Sequence, residues 1–265
     1  MRLAAKQDQD HNTVSHRWRQ ARRWPAAAGF AALALTMPGV AAVACAAPAS
    51  AAVVINHTLP RDGRAHSDQT WGGYAVTGDN PYTKITGSWT IPTMNCSNGG
   101  GDASPWIGID GWSDNTVEQI GVDLDCINGK GSYHPWVEMY PGPSDYFKDT
   151  IHAGDTLTAS VTVVNKKWTL TESDPATGWT KTFHPAAKGT PKYTSAEAIL
   201  EDVGSGAVPP VPDFGTVTFS SVTVDGSPLA SAGTAHKTTL ERGSTPLSKE
   251  SALSGGGYSI TWLHA

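Results

Sequence analysis

From Trp71 onward the apolar positions recur at every second residue in short runs, and Gly, Pro, Asn and Asp interrupt them. Thr156–Val164 sets Leu157, Ala159, Val161 and Val163 against Thr and Ser. That two-residue period belongs to a strand with one buried face. Trp168–Glu172 and Trp179–Phe183 flank Ser173-Asp174-Pro175-Ala176-Thr177-Gly178, which predicts a hairpin. Gly215–Val224, ending at Asp225-Gly226, predicts a further strand pair, and Tyr258–Trp262 a last strand. Only Ser195–Asp202 carries a trace of a 3.6-residue period, and no internal repeat is present. Residues 69–265 therefore predict one all-β domain, an antiparallel β-sandwich of two large sheets, jelly-roll or concanavalin-like.

The N-terminal part has another texture. The only long apolar stretch in the 265 residues is 25–44, preceded by a basic segment ending in Arg22-Arg23 and followed by Ala49-Ser50-Ala51. Basic, apolar and small-residue segments in that order predict an export signal over residues 1–51, hence a secreted, extracellular protein without stable membrane association. An uncleaved anchor and lipidation at Cys45 are the rival readings of this stretch. Residues 52–68 are polar and turn-rich, a linker or short propeptide. Beyond the leader only Cys96 and Cys126 remain, an even count that predicts one disulfide in an exported chain.

Composition narrows the function. Charged residues are 16% of the chain, while Gly (28), Pro (18) and Trp (10) are abundant, which excludes coiled coils, helical bundles and charged disordered chains. From residue 52 on there are 13 Lys/Arg against 22 Asp/Glu. An acidic body is repelled by phosphate backbones, so no nucleic-acid partner is expected. There is no H-E-x-x-H and no Cys/His cluster, so no metal site and no cofactor are expected. Gly111-Trp112-Ser113-Asp114-Asn115 misses the nucleophile-elbow pattern by its last residue.

The chemistry collects on one side of four predicted strands. In Pro105–Gly111, Trp106 and Asp110 oppose Ile107 and Ile109. In Val117–Asp125, Gln119, Gly121 and Asp123 oppose Ile120, Val122 and Leu124. In His134–Tyr140, His134, Trp136, Glu138 and Tyr140 oppose Val137 and Met139. In Ala196–Asp202, Glu197, Ile199 and Glu201 oppose Ala198 and Leu200. Strand side chains alternate between faces, so a shared sheet would carry one apolar face and one lined by Trp, Gln and carboxylates. An aromatic floor with carboxylates suits a groove for an extended polymer, either a peptide or a polysaccharide.

At these segments the chain resembles the glutamic peptidases, or eqolisins. The matching stretches are Trp71-Gly72-Gly73-Tyr74, WIGIDG at 106–111, EQIGVDLD at 118–125, PWVEMYP at 135–141, AEAILEDV at 196–203 and VPDFGTVTF at 211–219. The resemblance implies a β-sandwich with catalysis on the concave face of one sheet, and a Gln/Glu pair that needs no metal and forms no covalent intermediate. By motif that pair is Gln119 and Glu201, with Glu197 as the alternative for the acid. Trp71, Trp106, Asp110, Asp123, Trp136 and Glu138 would line the cleft or support the pair. It also implies a monomeric acid endopeptidase acting on polypeptides and insensitive to pepstatin. In that chemistry an ionised Glu takes a proton from water and returns it to the leaving amine, while the Gln amide stabilises the oxyanion. Two other classes fit the same face. A xylanase-like glycoside hydrolase would use Glu138 and Glu201 as nucleophile and acid/base. A lectin-like module would bind on the Trp face without turnover.

Overall fold

The computed structural model describes residues 68–98, 100–203 and 211–264. The export signal at 1–51, Cys45 within it, and the linker or propeptide up to residue 67 lie outside the described residues.

Runs with alternating burial become strands, and the strands form two large sheets. The first sheet has seven strands, in the order Thr234–Thr238, Trp71–Thr77, Ser195–Asp202, Gly101–Ile109, Val117–Ile127, Lys130–Tyr140 and Asp145–Tyr146. The second has eight. Its path runs Trp179–Phe183, Lys167–Asp174, Thr156–Val164, Lys84–Thr90, Thr216–Val224, Tyr258–Trp262 and Ser248–Glu250, with Ser227–Pro228 paired to Thr216–Val224. Asp68–Gln69, Glu241–Arg242 and Thr245–Pro246 make a small three-stranded ribbon. All pairings within the large sheets are antiparallel, as the sequence pattern predicts.

The predicted hairpin forms, with Trp179 opposite Asp174 and Phe183 opposite Leu170. Asp174 closes its turn by accepting the Ala176 N–H at 2.8 Å and the Thr177 hydroxyl at 2.6 Å, and Gly178 supplies the positive φ of 80°. Two expectations change. Ser195–Asp202 is wholly strand, because it pairs on both edges. Gly215–Val224 contributes one strand rather than a pair. Its register shifts between Ser220 and Thr223, and the β-bulge bends it without a turn.

The main core lies between the sheets. Ile107, Ile109, Ile120, Val122, Leu124, Val137, Ala198 and Leu200 face Trp89, Leu157, Val161, Leu170, Val217 and Phe219 there. The opposite face of the first sheet holds a separate buried cluster of Trp71, Trp106, Val117, Trp136 and Ile199. The alternation read in four strands thus sorts their side chains correctly, and the Trp-bearing face is the one turned away from the core. Every carboxylate of that face belongs to a strand fixed by apolar burial on its reverse side.

Cys96 and Cys126 form a disulfide across a separation of 30 residues. It ties the end of Val117–Ile127 to the short helical turn Cys96–Asn98. Closing a loop of that length contributes about 3–4 kcal/mol in the chain-entropy account. Replacing both cysteines with Ala is expected to lower unfolding free energy by about that amount in urea titrations, with secondary structure retained. An unchanged midpoint would show that the bridge contributes nothing to stability.

Candidate active site

Register decides which side chains on the Trp-bearing face meet. Glu138 is opposite Gln119, Gln119 opposite Gly108, Gly108 opposite Glu197, Glu197 opposite Ala75, and Ala75 opposite His236. These six positions form one row across six strands. Gly108 has no side chain, and the Trp106 ring lies over it: a Cβ at Gly108 would stand 3.1 Å from both the Trp106 Cζ3 and the Gln119 Cβ and 3.2 Å from the Glu118 carbonyl oxygen. The backbones of Gln119 and Glu197 are two strand spacings apart, about 10 Å.

The next row is Trp136, Gly121, Trp106, Ile199, Gly73 and Thr238. Gly121 sits between two tryptophans, and a Cβ there would come within 2.5 Å of both the Pro105 oxygen and the Trp106 Cβ. A third row holds His134 opposite Asp123, and Ser104, Glu201 and Trp71 side by side.

Both candidate acids lie on the Trp-bearing face. Glu201 lies level with Ser104, four residues along the strand from Gly108, and Glu197 lies level with Gly108. Glu201 Oε2 accepts the Trp106 indole N–H at 3.1 Å. The same register removes the glycosidase geometry. Glu138 and Glu201 are three strands apart, about 14 Å, and lie in different rows, whereas a retaining pair needs carboxyls about 5 Å apart.

Gln119 is oriented by its neighbour. Its Nε2 donates to Glu138 Oε2 at 2.5 Å, and Ser144 Oγ donates to Glu138 Oε1 at 3.2 Å. One N–H of the amide is thereby committed to Glu138. The Gln119 Oε1 is buried without a hydrogen bond.

Glu197 is fully buried, and neither carboxyl oxygen has a partner in hydrogen-bonding geometry. Burial holds its carboxyl well above the ordinary carboxylate range. The nearby Ser195 hydroxyl opposes this, and the charges of Asp110, Asp114 and Glu118 push it up.

The supporting residues divide by role. Trp71 and Trp106 pack edge to face, with centroids 4.8 Å apart, and Trp136 donates its indole N–H to Ser104 Oγ at 2.9 Å. Asp123 Oδ2 accepts the Tyr146 hydroxyl at 2.6 Å. Asp110 ties loops together and does not line the row. Its carboxylate accepts the backbone N–H groups of Lys192, Tyr193 and Thr194 at 2.7–2.8 Å. Burial nonetheless raises its pKa to about 6. Asp110 and Gly111 adopt positive φ of 70° and 108°, so the chain turns sharply out of the strand. Asp114 then accepts the N–H groups of Gly111 and Thr116 and the Thr194 hydroxyl. That loop carries Trp112.

Trp112 packs beside the aromatic cluster, and its ring stacks on His236 with centroids 5.2 Å apart and planes 26° apart. His236 also hydrogen-bonds Thr77 Oγ1 through Nε2 at 2.8 Å. Neither was identified from the sequence, because a loop tryptophan and a histidine from a weakly patterned edge strand carry no local signal. Tyr146 was missed for the same reason. Among the described residues no group of three or more His, Cys, Asp or Glu side chains is disposed to hold a metal ion.

The model of the Peptidase A4 family matches residues 69–262. Aspergillopepsin-2 of Aspergillus niger is 31% identical over 219 residues, spanning 73% of this chain and 77% of the relative. Among solved structures, scytalido-glutamic peptidase with a transition state analog inhibitor superposes with a TM-score of 0.65 at 25% identity, covering 73% of this chain and 98% of that one. The aspergilloglutamic peptidase from Aspergillus niger gives a TM-score of 0.53 at 30% identity, covering 62% and 99%. The family match over most of the described chain and the shared two-sheet sandwich agree, and the chain belongs to the Peptidase A4 family, the glutamic peptidases, as a hydrolase of peptide bonds.

Proposed function

We propose that Gln119 and Glu201 are the catalytic pair and that they cleave peptide bonds directly with water. What supports this is the glutamic-peptidase pattern of the chain, in which Gln119 of EQIGVDLD and Glu201 of AEAILEDV hold the paired positions, and a fold that puts both on the Trp-bearing face of one sheet. Glu201, as a carboxylate, accepts a proton from the attacking water as the hydroxyl adds to the carbonyl carbon, and a tetrahedral oxyanion forms. The protonated Glu201 then gives that proton to the leaving nitrogen as the carbonyl re-forms and the C–N bond breaks. Glu201 ends as it began.

Gln119 donates the N–H not held by Glu138 to the carbonyl oxygen as negative charge develops on it. Glu138 keeps the amide turned the right way, and the Trp106 indole N–H orients the Glu201 carboxylate. The substrate is polypeptide. Two solved relatives support this, one bound to a transition state analog inhibitor and one to the tripeptide Ala-Ile-His. The leader pattern supports export, the acidic composition of the domain suits work at acid pH, and a Gln/Glu pair lacks the paired aspartates that pepstatin-type inhibitors address. The enzyme acts as a monomer in this reading.

The test is digestion of an acid-unfolded protein between pH 2 and 7 with pepstatin present, comparing wild type with Gln119→Ala. Wild type is expected to cleave, and the variant to lose about 10²–10³ in kcat/KM, the usual cost of one oxyanion donor. Equal cleavage by the variant would remove Gln119 from the reaction. No cleavage by folded, processed wild type would send the assignment back to polymer binding without turnover.

A further inference from the structure

We propose that Glu197 is a positioning residue that keeps the site in its working form only while its carboxyl is neutral, and that it acts through the Trp106 ring. This rests on the Gln119/Glu201 reading above, which gives Glu197 no step in the reaction. Yet Glu197 is fully buried, and both its carboxyl oxygens lack a hydrogen bond. It lies on the same strand face as Ile199, a member of the cluster with Trp71, Trp106 and Trp136, so a charge on it would stand among aromatic rings unsatisfied.

Trp106 connects this group to the reaction. Glu197 is the direct cross-strand partner of Gly108, and the Trp106 Cζ3 lies 3.1 Å from where a Gly108 Cβ would stand. Cross-strand Cβ positions are about 5 Å apart, so a ring over Gly108 lies next to the Glu197 side chain. The other end of the same indole carries the N–H that Glu201 Oε2 accepts at 3.1 Å. One rigid ring therefore reaches from the row of Gln119 and Glu197 to that of Glu201. An ionised Glu197 draws water to its carboxylate, the ring tilts off Gly108, and its N–H leaves Glu201. The surroundings resist that charge. Burial chiefly holds the carboxyl neutral; the Ser195 hydroxyl opposes this, and Asp110 and Asp114 of the 110–116 loop and Glu118 of Val117–Ile127 reinforce it. Tyr82 also faces Glu197, and His236, two strands along the row, is bonded to Thr77 at 2.8 Å. This set contains no Lys or Arg to compensate a carboxylate. Glu201 works as a carboxylate, so rising pH does not disable the base itself.

The measurement is the pH profile of kcat/KM on a quenched-fluorescent peptide between pH 2 and 8, per amount of enzyme shown folded by circular dichroism at each pH. Folded wild type is expected to lose activity about tenfold per pH unit above an alkaline midpoint, as release of one proton dictates. Glu197→Gln, neutral at every pH, should keep the acidic limb in place and be about tenfold more active than wild type one pH unit above that midpoint. Ser195→Ala removes the hydroxyl that favours the charged form, so it should move the alkaline limb the same way, and it keeps the idea testable if Glu197→Gln fails to fold. Glu172→Gln is the control, since Glu172 lies on the core side of its strand, and it should leave the limb unmoved. An alkaline limb unchanged in both Glu197→Gln and Ser195→Ala would overturn the proposal. So would an equal shift in Glu172→Gln, which would assign the limb to overall stability, or a folded wild type with no alkaline loss. Glu197→Gln inactive at every pH, with Glu201→Gln still cleaving, would instead overturn the Gln119/Glu201 reading itself.

Discussion

Glu201→Gln is expected to reduce kcat on an unfolded protein substrate by about 10²–10⁴-fold, while Glu197→Gln costs less than about tenfold. The two substitutions are chemically identical, and both positions are fully buried on the same strand face. What separates them is place. Glutamine at position 201 still offers an oxygen to the Trp106 indole N–H, so the contact at 3.1 Å survives, but it cannot take a proton from water or return one to the leaving nitrogen. Glutamine at position 197 keeps the shape and the burial and leaves that contact untouched. Steady-state kinetics with each purified variant, alongside circular dichroism to show equal folding, decides the matter. The reverse order, with Glu197→Gln inactive and Glu201→Gln retaining more than about a tenth of wild-type kcat, would move the acid to the row of Gln119.

The second large effect is on stability. Glu118, Glu172 and Glu197 are fully buried, and none of their carboxyl oxygens has a hydrogen-bond partner. Burial raises the pKa of all three, that of Glu118 to about 9. Glu118 and Glu172 share the core side of their strands with Ile120, Val122, Trp168 and Leu170, so ionising either would strand a charge between the sheets. Asp102 lies directly opposite Asp125 on the neighbouring strand, and burial, with the charges of Asp123 and Asp125, pushes its carboxyl up too.

The sign follows from proton linkage. Below the unfolded value near 4.5 a glutamate is protonated in both states and adds nothing. Above it the unfolded chain releases protons that the folded one keeps, so stability falls as pH rises, and for Glu118 it goes on falling to about pH 9. Each pH unit over which a folded carboxyl stays protonated after its unfolded counterpart has ionised costs about 1.4 kcal/mol at most. Thermal and urea unfolding between pH 3 and 9 should therefore show greatest stability at acid pH and a loss of several kcal/mol by neutral or mildly alkaline pH. Glu172→Gln should flatten the slope above pH 5 and raise neutral-pH stability, since a neutral amide replaces a group that resists ionising. Stability that rises from pH 5 to 8, or a Glu172→Gln curve parallel to wild type, would contradict this account.

The period-two pattern by itself determined the all-β class, the antiparallel pairing, and the face on which each side chain of the four key strands lies. It placed Gln119, Trp106, Trp136, Glu138 and both candidate glutamates together because a pleated strand leaves only two directions for a side chain. The cysteine count found the disulfide, since setting Cys45 aside with the expected leader leaves one pairing. Face is a local property of a strand, but register is not. Which of Glu197 and Glu201 stands opposite Gln119 depends on how Ser195–Asp202 slides against Gly101–Ile109, and that is set by core packing and hydrogen bonding across three strands. Both glutamates satisfy the same alternation, so no reading of one strand separates them. Asp110 looked like a groove residue by parity, yet its positive φ turns it to bind a distant loop. Trp112 and His236 lie 124 residues apart in a chain whose sheet order brings their elements to one side of Glu197. Their contact exists only once the sheet has formed, because cross-strand and loop–strand meetings are made by topology and not by neighbours in sequence.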